Sequence, residues 1–259
     1  MAVINVSPES FFAGSVRIDE EALRVAARRA VEEGADIIDI GAKSTAPYLE
    51  TAIALDEEVR RMMRAVQVVT NAVAVPVSAD TTRATVAAAA LAAGARIIND
   101  VSGLRHDPAM ADIAAQGEGV VLMASPDGGA DGAPLELVRR LLSESLARAE
   151  RAGIGRGEIV LDPGVGFFTQ TGVSATAFNC AVLDRLAEFE DLGCPLLVGV
   201  SRKSFIGRLT GREAAADRLA GSLGATAVAV YNGAAIIRTH DVAATRDAVR
   251  VAEAIRRAG

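Results

Sequence analysis

The sequence predicts an α/β architecture, a single (β/α)8 barrel running through residues 1–259 as one domain. Short β-rich runs alternate eight times with Ala-rich amphipathic runs, the pattern of parallel strands joined by crossover helices. The β-rich runs are almost continuously apolar, as parallel strands covered on both faces must be. A length of 259 residues is ordinary for eight such units closed into a barrel. An open doubly wound sheet is the alternative. It would need a glycine-rich dinucleotide turn after the first strand, and Asn5-Val6-Ser7-Pro8-Glu9-Ser10 is not one.

In chain order the strands are expected at residues 2–6, 36–41, 75–80, 96–101, 120–124, 158–162, 196–201 and 235–240. Helical stretches follow them near 20–33, 56–69, 83–93, 108–116, 135–152, 180–192, 214–231 and 243–257. A faint repeat runs through the series: Gly34-Ala35-Asp36-Ile37-Ile38-Asp39, Gly94-Ala95-Arg96-Ile97-Ile98-Asn99 and Gly233-Ala234-Ala235-Ile236-Ile237-Arg238. In each, a glycine ends the preceding helix, where a left-handed backbone is cheapest, and two Ile build the strand. Residues 219–237 carry no charge and approach membrane-spanning length. Their three glycines and the Asn232-Gly233 turn signal point instead to a buried helix followed by a buried strand.

Composition limits the function classes. Hydrophobic residues make up 51% and the net charge is −6, which excludes a disordered chain and argues against broad nucleic-acid binding. Two cysteines cannot build a disulfide scaffold, and no charged-then-apolar leader is seen, so a reduced, cytoplasmic setting is expected. Cys180 and Cys194 have no metal-ligand spacing. His106 reads as part of a solvated turn, Gly128-Gly129-Ala130-Asp131-Gly132 as a plain loop, and Glu57-Glu58 with Arg60-Arg61 as a solvated helix face.

The strand ends are almost wholly polar: Asn5, Asp39, Asp80, Asn99, Asp162, Ser201, Arg238 and His240. In a barrel these tips share one rim, where such folds keep their sites. Any one of them could simply cap the next helix; together they suggest a built pocket. Side chains alternate along a strand, so Arg238 and His240 are expected to point the same way. Phe11, Phe12, Phe167, Phe168, Phe178 and Phe205 fall in segments after strands, which suits a flat heterocyclic ligand, although loop packing explains them as well. Arg202, Lys203, Arg238 and His240 form a basic group on an acidic chain. Either they bind an anion such as phosphate, or they pair with Asp241 or Asp217.

Asn5-Val6-Ser7-Pro8-Glu9-Ser10-Phe11 resembles the opening signature of the dihydropteroate synthases. The likeness continues in order through residues 34–41 with Ser44-Thr45, Asp80-Thr81, Ile98-Asn99-Asp100-Val101, Asp162-Pro163-Gly164-Val165-Gly166-Phe167, Ser201-Arg202-Lys203-Ser204-Phe205-Ile206-Gly207 and Arg238-Thr239-His240-Asp241-Val242. The resemblance implies a pterin-binding TIM barrel. It implies an enzyme that joins 6-hydroxymethyl-7,8-dihydropterin diphosphate to an aromatic amine and releases diphosphate, usually with Mg²⁺. It assigns Asp80, Asn99, Asp162 and Lys203 to the pterin; Asn5, Arg238 and His240 to the diphosphate, with Asn5 also on the metal; and Thr45 and Ser201 to the arylamine. Asp80, Lys203 and Arg238 would be catalytic, Asp80 by facing the developing pterin cation and Arg238 by holding the leaving anion. Family members are often homodimers.

The departures from the family pattern fall in the loops near the amine and the diphosphate, while the pterin-facing set is intact. Lys43-Ser44-Thr45-Ala46-Pro47 stands where Glu-Ser-Thr-Arg-Pro is usual, Met123-Ala124 replaces Met-His, and two basic residues after strand six are missing. Ser44-Thr45-Ala46-Pro47-Tyr48 looks similar to the branch serving tetrahydromethanopterin synthesis, whose amine is 4-(ribofuranosyl)aminobenzene 5'-phosphate. Lys43 is then a cation for that phosphate, and this amine is favoured over p-aminobenzoate, the folate-pathway alternative. A non-catalytic pterin-binding homologue, a corrinoid-linked methyltransferase module and a Schiff-base aldolase using Lys203 are the readings from other classes. The last would need a Lys of lowered pKa in a dry pocket.

Overall fold

Eight parallel strands pair in chain order in the computed structural model: β1 (Ala2–Asn5), β2 (Ile38–Gly41), β3 (Val77–Asp80), β4 (Ile97–Asp100), β5 (Gly119–Met123), β6 (Ile159–Asp162), β7 (Leu196–Val198) and β8 (Ala234–Ile237). The structure describes residues 1–6, 19–43, 53–126, 132–169 and 173–258. A parallel bridge between Ala2 and Thr239 brings the last strand back to the first, through Val3 N–H to Thr239 O (2.9 Å) and Thr239 N–H to Met1 O (3.0 Å). The helices are α1 (Glu20–Glu32), α2 (Leu55–Thr70), α3 (Ala84–Ala92), α4 (Met110–Ala114), α5 (Pro134–Arg151), α6 (Ala175–Asp184), α7 (Ser204–Thr210), α8 (Leu219–Tyr231) and α9 (Val242–Ala258). The (β/α)8 TIM barrel expected from the sequence is the observed fold.

Strand alternation divides the apolar from the polar. One set, including Ala2, Ile4, Ile38, Ile40, Val77, Ala79, Ile98, Leu122 and Leu161, is buried in the continuous core shared with the helices. The alternate set, Asn5, Asp39, Ser78, Asp80, Asn99 and Asp162, is the barrel's own lining. Strands β2 and β3 are therefore buried on both sides while one side remains chemically active. Gly34, Gly94 and Gly233 take φ values of 101°, 109° and 103°, so the repeat seen in the sequence is a recurring left-handed helix end.

Several boundaries differ from expectation. β7 and β8 stop at Val198 and Ile237, so Ser201, Arg238 and His240 lie on the exits rather than on strand residues. β7 pairs with β8 through a register shift at Leu196/Leu197. The helix expected at 180–192 starts earlier, at Ala175, with the Ser174 hydroxyl capping Ala177 N–H, and gives way to a 3-10 turn over Leu186–Leu192. The short helix α7 after β7 was not anticipated, because its seven residues are too few for a hydrophobic period. Residues 219–237 form helix α8 and strand β8, as expected, and no helix among the described residues is long and apolar enough to cross a membrane.

Candidate active site

Asn5, Gly41, Asp80 and Asn99 are register neighbours across β1–β4. Gly41 makes room for the side chains beside it: a Cβ there would stand 2.9 Å from Asn5 Oδ1 and 3.9 Å from Asp80 Oδ2. These two oxygens therefore border one small space at the mouth.

Arg238 leaves β8 and turns into the barrel. Its Nε donates to Asp39 Oδ2 at 2.7 Å and its Nη2 to Asp80 Oδ2 at 2.8 Å, while Nη2 also lies 2.7 Å from Asp39 Oδ2. Asn99 Nδ2 donates to the same Asp39 oxygen at 3.1 Å. Asp39 Oδ1, Asp80 Oδ1 and Ser78 Oγ are buried without a hydrogen-bond partner among the described residues. Burial opposes charge on Arg238, yet the two carboxylates overcome it and hold its pKa above the ordinary value. Asp80 is governed by burial. Only partly relieved by Arg238, and reinforced by the negative fields of Asp39, Asp100 and Glu58, burial pushes Asp80 up to about 7.

The opposite side of the mouth is Asp162 with Lys203. Asp162 ends β6 and accepts Gly164 N–H at 2.8 Å. Burial raises its pKa, against the pull of Lys203. Lys203 precedes α7; its Nζ donates to Val165 O and lies 4.4 Å from the centre of the Phe167 ring. Burial lowers its pKa to about 8, with Asp162 opposing and Arg238 assisting. Gly166, at φ 91°, lies where any side chain would run into the Lys203 stem, and its N–H is fixed by Asn179 Oδ1 at 2.6 Å.

On the rim, Ser201 Oγ meets His240 Nδ1 at 3.0 Å and His240 N–H at 3.3 Å. Desolvation by the rim, followed by the Arg238 charge, lowers the His240 pKa. His240 is exposed, whereas Arg238 is drawn inward by two carboxylates. His240 thus bonds Ser201 on the rim, while Arg238 bonds Asp39 and Asp80. Arg202 is spoken for. It donates to Asp241 through Nε (2.8 Å) and Nη2 (2.6 Å), and through Nη1 to the carbonyls of Ala215 and Ala216. The Asp241 pairing read as an alternative from the sequence is the one observed, and the basic group offered to an anion loses this member.

The aromatic expectation is corrected as well. Phe168 and Phe178 stack on each other at 4.4 Å and are buried, and Phe205 is buried too, so these rings pack loops and helices. Phe167, under Lys203, is the described ring that borders the mouth. Phe11, Phe12 and the arylamine residue Thr45 lie outside the described residues. Lys43 is half-buried just past β2. Glu58 is not on a solvated face: it is 3% exposed, pairs with Arg83 at 2.9 Å, and accepts from Thr81 Oγ1 at 3.2 Å. His106 is exposed, as the sequence suggested, and Cys194 is buried.

Sequence reasoning left Asp39 out of the site although it had noted it as a strand end. An Asp between two Ile in a fully covered strand must have a buried cationic partner, and that signal was present. No group of three or more His, Cys, Asp or Glu able to hold a metal exists among the described residues. A Mg²⁺ that draws most ligands from a substrate's phosphates needs only one or two from the protein. Asn5 fits that limited role, since its Oδ1 faces the open space beside Gly41 and no described residue bonds it.

The chain is similar to known proteins along almost its whole length. A model of the pterin-binding enzymes matches residues 1–240. A dihydropteroate synthase of Mycobacterium leprae is 41% identical over 276 residues, covering 100% of this chain and 94% of that protein. A probable bifunctional folylpolyglutamate synthase/dihydropteroate synthase of Haloferax volcanii is 41% identical over 99% of this chain, which spans 30% of that longer protein. The solved Xanthomonas albilineans dihydropteroate synthase with 4-aminobenzoic acid superimposes with a TM-score of 0.89 at 41% identity, covering 98% of this chain and 92% of that one. With this barrel, this mouth and these relatives, the chain belongs to the dihydropteroate synthase family of pterin-binding enzymes.

Proposed function

We propose that the barrel mouth joins 6-hydroxymethyl-7,8-dihydropterin diphosphate to an aromatic amine and releases diphosphate. The observation that carries this reading is the group formed by the buried Asp80, Asn99 and Asp162 with the half-buried Lys203, linked electrostatically through Arg238 and Asp39. A dihydropterin edge presents N–H and amino donors beside a carbonyl acceptor. Asp162 accepts from the donors, Lys203 donates to the acceptor, and Phe167 lies against the Lys203 ammonium.

The C–O bond between methylene and diphosphate breaks, a C–N bond to the amine forms, and the amine loses a proton. No protein nucleophile is required. The Asp80 carboxylate, held by Arg238 through one oxygen with the other unpartnered, favours positive charge on the pterin as diphosphate leaves. Arg238 supplies positive charge and N–H donors toward the departing anion, while His240, its pKa held below the ordinary 6.5, faces that anion as a neutral ring at neutral pH. Mg²⁺, held by Asn5, would supply charge neutralisation on that anion.

Relatives named dihydropteroate synthase, and the 4-aminobenzoic acid carried by the 41% identical solved relative, support p-aminobenzoate as the amine. Lys43 supports a second reading, 4-(ribofuranosyl)aminobenzene 5'-phosphate, because a half-buried cation past β2 suits a phosphate on the amine. Diphosphate release with each amine, and the masses of the coupled products, separate the two readings. Turnover of p-aminobenzoate is expected; turnover of the phosphorylated amine alone would reverse the assignment, and no coupled product with either would overturn the enzyme reading. We also propose a homodimer that covers Val228 and Tyr231 of α8 with Val251 and Ile255 of α9, all exposed. Light scattering on the eluting protein should give twice the chain mass of 26.7 kDa.

A further inference from the structure

We infer that Asp39 is a positioning residue that orients the pterin-side Asn99 and the diphosphate-side Arg238 together from beneath the mouth. Asp39 is fully buried at the β2 position that lies level with Ser78 of β3. One of its oxygens gathers Arg238 Nε, Arg238 Nη2 and Asn99 Nδ2 within 3.1 Å. Three consequences follow from the chemistry of these groups.

A carboxylate only accepts, so it draws the NH2 end of the Asn99 carboxamide toward itself. Asn99 Oδ1 is then left to face the ligand, and Asn99 meets the pterin chiefly as an acceptor. Left to itself, a carboxamide could present either end. Arg238 is held by Nε, the atom nearest its stem, and this fixes the plane of the guanidinium. Nη2 is shared between Asp39 and Asp80, while Nη1 bonds no described residue. An anion at the mouth can therefore be met by Nη1 without Arg238 leaving either carboxylate. Finally, Asp39 keeps Arg238 from collapsing onto Asp80 alone, so one Asp80 oxygen remains unpartnered. A fully buried carboxylate with an unpartnered oxygen is costly to fold, and a purely structural position would be filled more cheaply by an apolar residue.

The inference rests on the pterin-transfer reading, and diphosphate release by the unaltered enzyme tests that reading separately in the same assay. Asp39→Asn keeps the shape but removes the charge and makes the acceptor ambiguous. The variant should bind 6-hydroxymethylpterin about tenfold more weakly by calorimetry and show a KM for the pterin diphosphate about tenfold higher. Its KM for the amine should stay within twofold. Equal losses for pterin and amine, or unchanged pterin binding with only a lower Tm, would overturn the inference. A measurement on the unaltered protein covers the case in which the variant does not fold. The Arg238 Nε–H resonance should exchange slowly with solvent, and should continue to do so with saturating inorganic diphosphate. Fast exchange in either state would overturn the inference as well.

Discussion

Asp80 faces two opposing demands: burial favours its neutral form, and the proposed chemistry needs the charged one. With a pKa pushed up to about 7, it gains its charge across neutral pH. In the free enzyme kcat/KM is therefore expected to rise through about pH 7, and Asp80→Asn should lose that limb. Single-turnover rates of this variant should fall by more than tenfold, roughly 1.4 kcal/mol, with pterin binding measured alongside to separate the two effects. A smaller loss would remove Asp80 from cation stabilisation. The stability effect has the opposite sign. A carboxyl whose folded pKa exceeds its ordinary 3.8 contributes fully below about pH 4, and that contribution is lost as pH rises toward 7. Lys203 behaves in mirror image. It loses charge above about pH 8, so affinity for pterin should fall there, and Lys203→Met should raise the KM for pterin diphosphate by about tenfold at neutral pH, measured by initial rates. The residue identities were legible in the sequence, because acids and amides at the tips of apolar strands are conspicuous. The sharing of Arg238 between Asp39 and Asp80 was not, since 199 and 158 residues separate the partners and local pattern carries no trace of the pairing.

At the level of elements, the exits from β6, β7 and β8 decide where the charged groups go. Gly166→Ala places a methyl group at φ 91° against the Lys203 stem. It should cost about 1–2 kcal/mol of backbone strain and weaken pterin binding, seen together by thermal unfolding and calorimetry. Arg202 is itself at φ 56°, a conformation that a non-glycine residue avoids. Its two bonds to Asp241 and two to the carbonyls before α8 hold it there. Asp241→Asn should lower stability by roughly 1–2 kcal/mol, with a drop in Tm of a few degrees, and raise the KM for the pterin diphosphate several-fold, because His240 is the next residue along. Most strands and long helices were legible from apolar runs and glycine ends. α7 and the true start of α6 were not, because a seven-residue helix and a serine cap leave too little periodic signal. Glu58 was misread for a related reason: α2 has charged residues on more than one face, and only Thr81 and Arg83, in the connection between β3 and α3, show which of them is covered.

The whole molecule is one closed set of strands in which the first is bonded to the exit of the last. Such a barrel shares its core among all eight units, so the chain is expected to unfold as one domain. Calorimetry should show a single transition with equal calorimetric and van't Hoff enthalpies, and two resolved transitions would argue for separable units. Closure also concentrates charge. Asp39, Asp80, Asp162, Lys203 and Arg238 come from five different βα units, and closure brings them together. Removing divalent metal with a chelator should slow diphosphate release and added Mg²⁺ should restore it. An unaffected rate would take Asn5 out of the metal role.

The sequence by itself determined the barrel, the rim on which the polar groups gather and the family likeness, because all three are written in local periodicity and short motifs. Only the tertiary structure decided which charges meet: Arg202 is bound to Asp241, Arg238 is divided between Asp39 and Asp80, and Asp39 reaches Asn99 as well. The physical reason is that strand periodicity sets which way a side chain points, whereas the energy of a buried charge depends on what closure of the barrel places opposite it.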